Sequence, residues 1–200
     1  MTTVLLTGFE PYVGDRVNPS WQAVERLARE WRGRDRVVAV RLPVAFVRSV
    51  DVLLAAIAEH RPDVVIATGF APERRGLSIE RVAINVDDAR LPDNDGARPV
   101  DSPIERDGEP ARFSALPIKA LVAALAAAGI PASVSNSAGT FVENHLFYAV
   151  QGVPGLRAGL VQVPATSEYY IDDALAPDLG EVVRGLRTIV EIVLAHDRAG

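Results

Sequence analysis

The stretch SVSNSAGTFVENHL, Ser133 to Leu146, gathers groups that can do chemistry: the hydroxyls of Ser135, Ser137 and Thr140, the Glu143 carboxylate and the His145 imidazole. It reads as a buried strand, a small-residue turn (Ser137-Ala138-Gly139-Thr140) and the start of a helix. The first turn of a helix presents free N–H groups and a partial positive charge, so an anion is welcome where Glu143 stands. A hydroxyl nucleophile would need a histidine beside it, and the chain has only His60, His145 and His196. His145 follows Glu143 by two positions, about 200° round a helix, and faces away. His60 closes an early helix, and His196 lies in the last turn of the final one, where it complements the helix dipole. Without an adjacent imidazole the three hydroxyls read as turn and cap residues. Cysteine is absent, which excludes thiol nucleophiles, disulfides and thiolate metal sites.

The elements that must position this junction follow from apolar patterning. Val4 to Thr7 is a short buried strand ending at Gly8. Asn18 and Pro19 form a helix start, and Trp21, Val24, Leu27, Ala28 and Trp31 recur at helical spacing, which predicts a helix over 19–32. A strand over 36–42, a helix over 46–59 and a strand over 64–67 repeat the step, and three such steps predict an open α/β sheet with helices on both sides. From Leu77 the alternation changes phase, Leu77 and Ile79 against Val82, Ile84 and Val86, which predicts one strand with a bulge near Glu80. Residues 87–111 are mostly polar, with Asp93-Asn94-Asp95-Gly96 as a turn between two extended arms. The further ligands and terminal Glu of a calcium loop are missing there. Leu116 to Ala128 is apolar on nearly all sides, a helix that is either buried or packed on another subunit. A strand over 131–136, the helix from the junction to about 150, a strand over 160–163 and a helix over 179–195 complete the chain. The linker after Pro164 is expected to cross the sheet's carboxyl edge.

Composition narrows the function classes. Two hundred residues, 48% hydrophobic, suffice for one cored domain over 1–200, and no linker suggests a second. Twenty-one basic against 26 acidic residues, with no basic cluster, argue against nucleic acid. No positive n-region or membrane-length apolar run is visible, so a cytoplasmic protein that does not enter the membrane is expected. Gly8, Gly14 and Gly69 are isolated and make no phosphate loop.

Three segments, LLTGFEPYVGDRVNPS, LSIERVAINVDDARLPDNDG and VSNSAGTFVENHLFYA, together with RLPVAF and PIKALVAAL, resemble the pyroglutamyl peptidase I family. These are cysteine peptidases that remove an N-terminal pyroglutamate. The resemblance implies a single-domain, three-layer α/β/α fold around a twisted mixed sheet, no metal or cofactor, and a homotetramer as a common assembly. It also implies a Cys nucleophile, a His base and a Glu that orients the His. Glu80 in SIERVAIN matches the family's Glu, and Arg90 in DDAR its oxyanion-site Arg. Where the family reads AGTFVCN this chain reads AGTFVEN, which puts Glu143 at the nucleophile position. Where the family has His before Val-Pro, this chain has Gln162.

The resemblance places the substrate pocket at Phe9, Tyr12, Val44, Phe70, Leu91, Phe141 and Val142. Read alone, Phe9, Phe141 and Val142 are core residues. Phe70, Val13 and Val44 stand where the family has Gln, Gly and Thr, and are bulkier or more apolar. The expectation is a protein unable to perform the family's reaction that retains a binding role for small peptides or pyroglutamyl-like N-termini, with Glu143 paired to Arg90. The alternative is a hydrolase in which Glu80 and Glu143 act as paired carboxylates, one pKa pushed up by the other.

Overall fold

The computed structural model describes residues 1–169 and 176–199. Strand β1 (Thr3–Phe9) is buried from Val4 onward, as its unbroken apolar run predicts for a strand covered on both faces. Helix α1 (Pro19–Glu30) starts at the predicted place: the Asn18 side chain accepts the Ser20 N–H at 3.0 Å, with Pro19 at the first helical position. Then follow β2 (Arg36–Leu42), α2 (Phe46–His60) and β3 (Val64–Phe70).

The predicted bulged strand is two strands in different sheets. β4 (Leu77–Glu80) belongs to the main sheet, whereas β5 (Val82–Ile84) pairs antiparallel with β6 (Ala111–Phe113) in a separate two-stranded ribbon. The phase change marks the point where the chain leaves one sheet for another. Arg81 sits at the crossing, donating its N–H to the Ser135 carbonyl and accepting the Ser114 N–H.

Helix α3 (Ile118–Ala127) buries Leu121 and Leu125, while Ala120, Ala123, Ala126 and Ala127 remain exposed, so its apolar composition covers more surface than it hides. β7 (Ala132–Ser135), α4 (Val142–Gln151), β8 (Arg157–Val163) and α5 (Leu179–Ala199) close the chain. Of the linker after Pro164, residues 170–175 lie outside the described residues. Among those that are described, the Tyr169 ring packs 4.7 Å from that of Phe70 at the end of β3.

The six-stranded sheet runs β2-β1-β3-β8-β4-β7. The first four strands are parallel; β4 lies antiparallel to β8 and parallel to β7. Val4, Leu6, Ile66, Val161 and Val163 face a core shared with α1, α3 and α5, and Leu5, Val65, Ala67 and Leu160 face one shared with α2 and α4. This single-domain α/β fold with a mixed sheet between helical layers matches the expected architecture. The sheet reverses direction between β8 and β4, beside the carboxyl ends of β1 and β3, where open α/β sheets place their binding crevices.

Candidate functional site

The strand–turn–helix junction is present as read. β7 ends at Ser135, Gly139 adopts φ 76°, a left-handed conformation that favours glycine, and α4 begins at Val142. Asn144, fully buried one residue past Glu143, fixes the head of α4. Its Nδ2 donates to the Ile84 and Val86 carbonyls at 2.9 and 3.1 Å, and its Oδ1 accepts the Ile84 N–H at 3.0 Å. The Thr140 hydroxyl donates to the Asp88 carbonyl at 2.7 Å. The ribbon and the loop leading away from it therefore hold the helix by its first turn.

Glu143 thus projects into a cleft of about 580 Å³ bordered by Tyr12, Phe70, Leu91 and Phe141, with Glu73, Asp88 and Arg90 as its other charged groups. Its carboxyl keeps partial exposure toward the cleft yet is deep enough that burial pushes its pKa up to about 7. The N–H groups of Glu143 itself and of Phe70 oppose that rise, and the charge of Glu73 adds to it. Gln162, on β8 and 4% exposed, lies directly beside it. A Cβ on Gly69 of β3 would collide with Gln162 Oε1 and stand 2.7 Å from Glu143 Cγ, so the bare Gly69 backbone is what lets the two side chains meet. Gln162 Oε1 is buried without a hydrogen-bond partner.

Glu80 is fully buried on the same face of the sheet as Gln162, two residues along β4 from Ser78, which pairs with Gln162. Arg74 Nη1 approaches Glu80 Oε1 to 2.9 Å, and Arg74 Nη2 donates to the Ser137 carbonyl at 3.2 Å. The approach to Glu80 is an ion pair, and the Ser135 hydroxyl is the carboxylate's other polar neighbour. Burial raises the Glu80 carboxyl above its ordinary range, while the Ser135 hydroxyl and the Arg74 guanidinium pull it back.

The expected Glu143–Arg90 ion pair is absent. Arg90 is exposed at the cleft mouth, and Glu143 makes no ion pair among the described residues. Salt-bridge partners are set by where a loop carries a charge, and the residue that reaches inward is Arg74, toward Glu80. Burial is the first cause of both carboxyl shifts, with Ser135 and Arg74 as the neighbours of Glu80 and the Phe70 N–H and Glu73 as those of Glu143.

Of the expected pocket residues, Tyr12, Phe70, Leu91 and Phe141 border the cleft, whereas Phe9, Val44 and Val142 are packed in the core shared with α2 and α4. Sequence reading missed Glu73, Arg74, Asp88 and Tyr169. The first two follow β3 directly, and their placement depends on how that loop turns, which no periodicity encodes.

The histidines sit elsewhere. His145 Nδ1 lies 2.7 Å from Asp87 Oδ2 and its ring 5.6 Å from that of Phe46, on the side of α4 away from the cleft lining. His60 ends α2, and His196 is exposed on α5. The Asp93 turn is structural: its Oδ1 accepts the N–H groups of Asp95 and Ala97, and its Oδ2 accepts that of Phe46, capping α2 from a distant loop. No cluster of three His, Asp or Glu side chains among the described residues could hold a metal ion, and no described helix is long and apolar enough to cross a membrane.

The family model described as pyroglutamyl peptidase matches residues 2–196. The pyrrolidone-carboxylate peptidase of Erwinia tasmaniensis is 50% identical over 200 residues, covering 98% of this chain and 94% of the relative. That of Streptomyces coelicolor is 48% identical over 197 residues, covering 95% and 91%. The crystal structure of pyroglutamyl peptidase I from Bacillus amyloliquefaciens superposes with a TM-score of 0.92 at 40% identity, covering 98% of each chain. A mutant pyrrolidone carboxyl peptidase from P. furiosus gives 0.89 at 35% identity, covering 96% of this chain and 98% of that one.

Proposed function

We propose that this chain, which belongs to the pyroglutamyl peptidase family, does not carry out cysteine-peptidase chemistry but retains a binding role for small peptides with pyroglutamyl-like N-termini. One observation carries the reading: at the head of α4, where the family resemblance places a Cys, stands Glu143, and the side chain beside it is Gln162, where the resemblance places a His. A sequence without any cysteine has no thiolate to supply from elsewhere.

The chemistry follows from that substitution. A thiolate at a helix N-terminus attacks an amide carbonyl because the dipole and a neighbouring imidazole keep it ionised. A carboxylate there is equally welcome to the dipole but is a poor nucleophile toward an amide, and a glutamine side chain cannot take up a proton near neutrality. Loss of both nucleophile and base leaves only binding and any oxyanion stabilisation, a small part of the acceleration. Glu80, to which the resemblance assigns the orienting of a histidine, shares a sheet face with Gln162, whose amide would gain nothing from such orientation. The cleft and its aromatic border support retained binding.

The test is an assay of the purified chain on a chromogenic pyroglutamyl amide beside a no-protein control. Release at the control rate is expected; steady turnover proportional to protein concentration would overturn the reading.

A further inference from the structure

The charge and hydrogen-bonding character of the cleft select among ring-shaped N-termini, and this step rests on the binding role just proposed. Three aromatic side chains, Tyr12, Phe70 and Phe141, border the cleft. Tyr12 and Phe141 meet edge to face at 6.1 Å between centroids, and Phe70 is braced from outside by Tyr169. Against this apolar border stand the carboxylates of Glu73, Asp88 and Glu143 and a single guanidinium, Arg90.

The lining is also rich in acceptors. Glu143 has no ion-pair partner among the described residues, and behind it, outside the lining itself, Gln162 holds a buried Oε1 with no donor. A lactam ring is uncharged, offers one N–H donor and brings a carbonyl oxygen that would be placed against these acceptors. A protonated ring amine offers two N–H donors and a positive charge. Aromatic faces and a carboxylate together are the environment that holds an ammonium group, through the ring quadrupoles and a charge-assisted hydrogen bond.

We infer that the cleft is a site for a cationic N-terminal amine on a small ring, as in a peptide beginning with proline, with Glu143 as the residue that receives the ammonium group. The ring of proline has the same size as that of pyroglutamate, so the shape of the cleft can serve both while its charge distinguishes them.

Matched probes test this. L-prolinamide and L-pyroglutamamide share ring and amide and differ in the ring nitrogen's charge and the lactam oxygen. They are titrated by calorimetry against the full chain and its Glu143→Gln variant at about pH 8, where carboxyl groups are largely ionised. The wild type is expected to bind L-prolinamide at least about tenfold more tightly than L-pyroglutamamide, and Glu143→Gln to erase that preference while still melting cooperatively. Glu25→Gln, exposed on α1 and outside the cleft lining, is expected to leave the preference unchanged within about twofold.

Equal affinities, tighter binding of L-pyroglutamamide, no binding of either probe, or a preference that survives Glu143→Gln would each overturn the inference. Turnover of a pyroglutamyl anilide, measured separately, would overturn the non-hydrolytic reading and leaves the amine preference to be judged by the titrations. Absence of the preference in the wild-type chain, with no turnover, overturns the amine inference alone.

Discussion

Gln162 on β8 and Glu143 at the head of α4 meet over the backbone of Gly69, and a single methyl group at position 69 would displace both. The contact joins the middle of the sheet to the junction with α4. Gly69→Ala is therefore expected to destabilise the fold by about 1–3 kcal/mol through overpacking, read by urea denaturation. Adding Gln162→Ala should return part of the loss, because it removes the nearer of the two groups in the way, leaving the Glu143 Cγ contact. Equal losses in both backgrounds would show that the clash lies elsewhere.

Stability should depend on pH through Glu143. Its folded pKa of about 7 lies above its ordinary 4.5, so the folded state binds the proton more tightly than the unfolded chain does. The neutral carboxyl carries no penalty below the unfolded value, and stability is lost as pH rises from there through about 7. Relative to Glu143→Gln, the wild type should be nearly as stable at about pH 4 and fall behind by roughly 2–3 kcal/mol at about pH 8.5. Chemical denaturation at the two pH values measures the difference; a gap independent of pH would refute the assignment.

Glu80, fully buried, and Arg74, partly exposed, form a pair that can be separated by a double-mutant cycle. Arg74→Met leaves the Glu80 carboxylate without its cation and should cost about 3 kcal/mol near neutral pH, less under acid conditions where Glu80 is protonated. Glu80→Gln should make the Arg74→Met change much milder. Because Arg74 also holds the Ser137 carbonyl, the single variant should increase hydrogen exchange in the turn before α4. Additive effects in the cycle would mean that the two side chains act independently.

Asn144 makes three hydrogen bonds from a fully buried position. Asn144→Ala is expected to cost about 2–4 kcal/mol, because it strands the Ile84 N–H and two carbonyls. Thermal melting gives the loss, and a change under about 0.5 kcal/mol would show that α4 is anchored by packing alone.

Much of this arrangement was legible in the sequence, for identifiable reasons. Asn18-Pro19 and the apolar run from Val64 fixed elements whose signals are local. The turn around Gly139 was equally readable, since few residues other than glycine adopt its backbone angle. The phase change at Glu80 was visible but misread as a bulge, because its meaning depends on the partner strand Ala111–Phe113, hidden in a polar segment. Long-range charge pairing was not legible at all: Arg90 and Arg74 are both plausible partners for a buried carboxylate, and only the course of the loop after β3 shows that Arg74 points inward. The same limit separated Tyr12, Phe70, Leu91 and Phe141, which border the cleft, from Phe9, Val44 and Val142, which fill the core.

The most direct measurement compares pyroglutamyl amide hydrolysis by the wild-type chain and by the Glu143→Cys, Gln162→His double variant under identical conditions. If the scaffold is kept and only the reacting groups have changed, the wild type releases product at the control rate and the double variant at a measurable, protein-dependent rate. Protein-dependent turnover by the wild type would contradict that account.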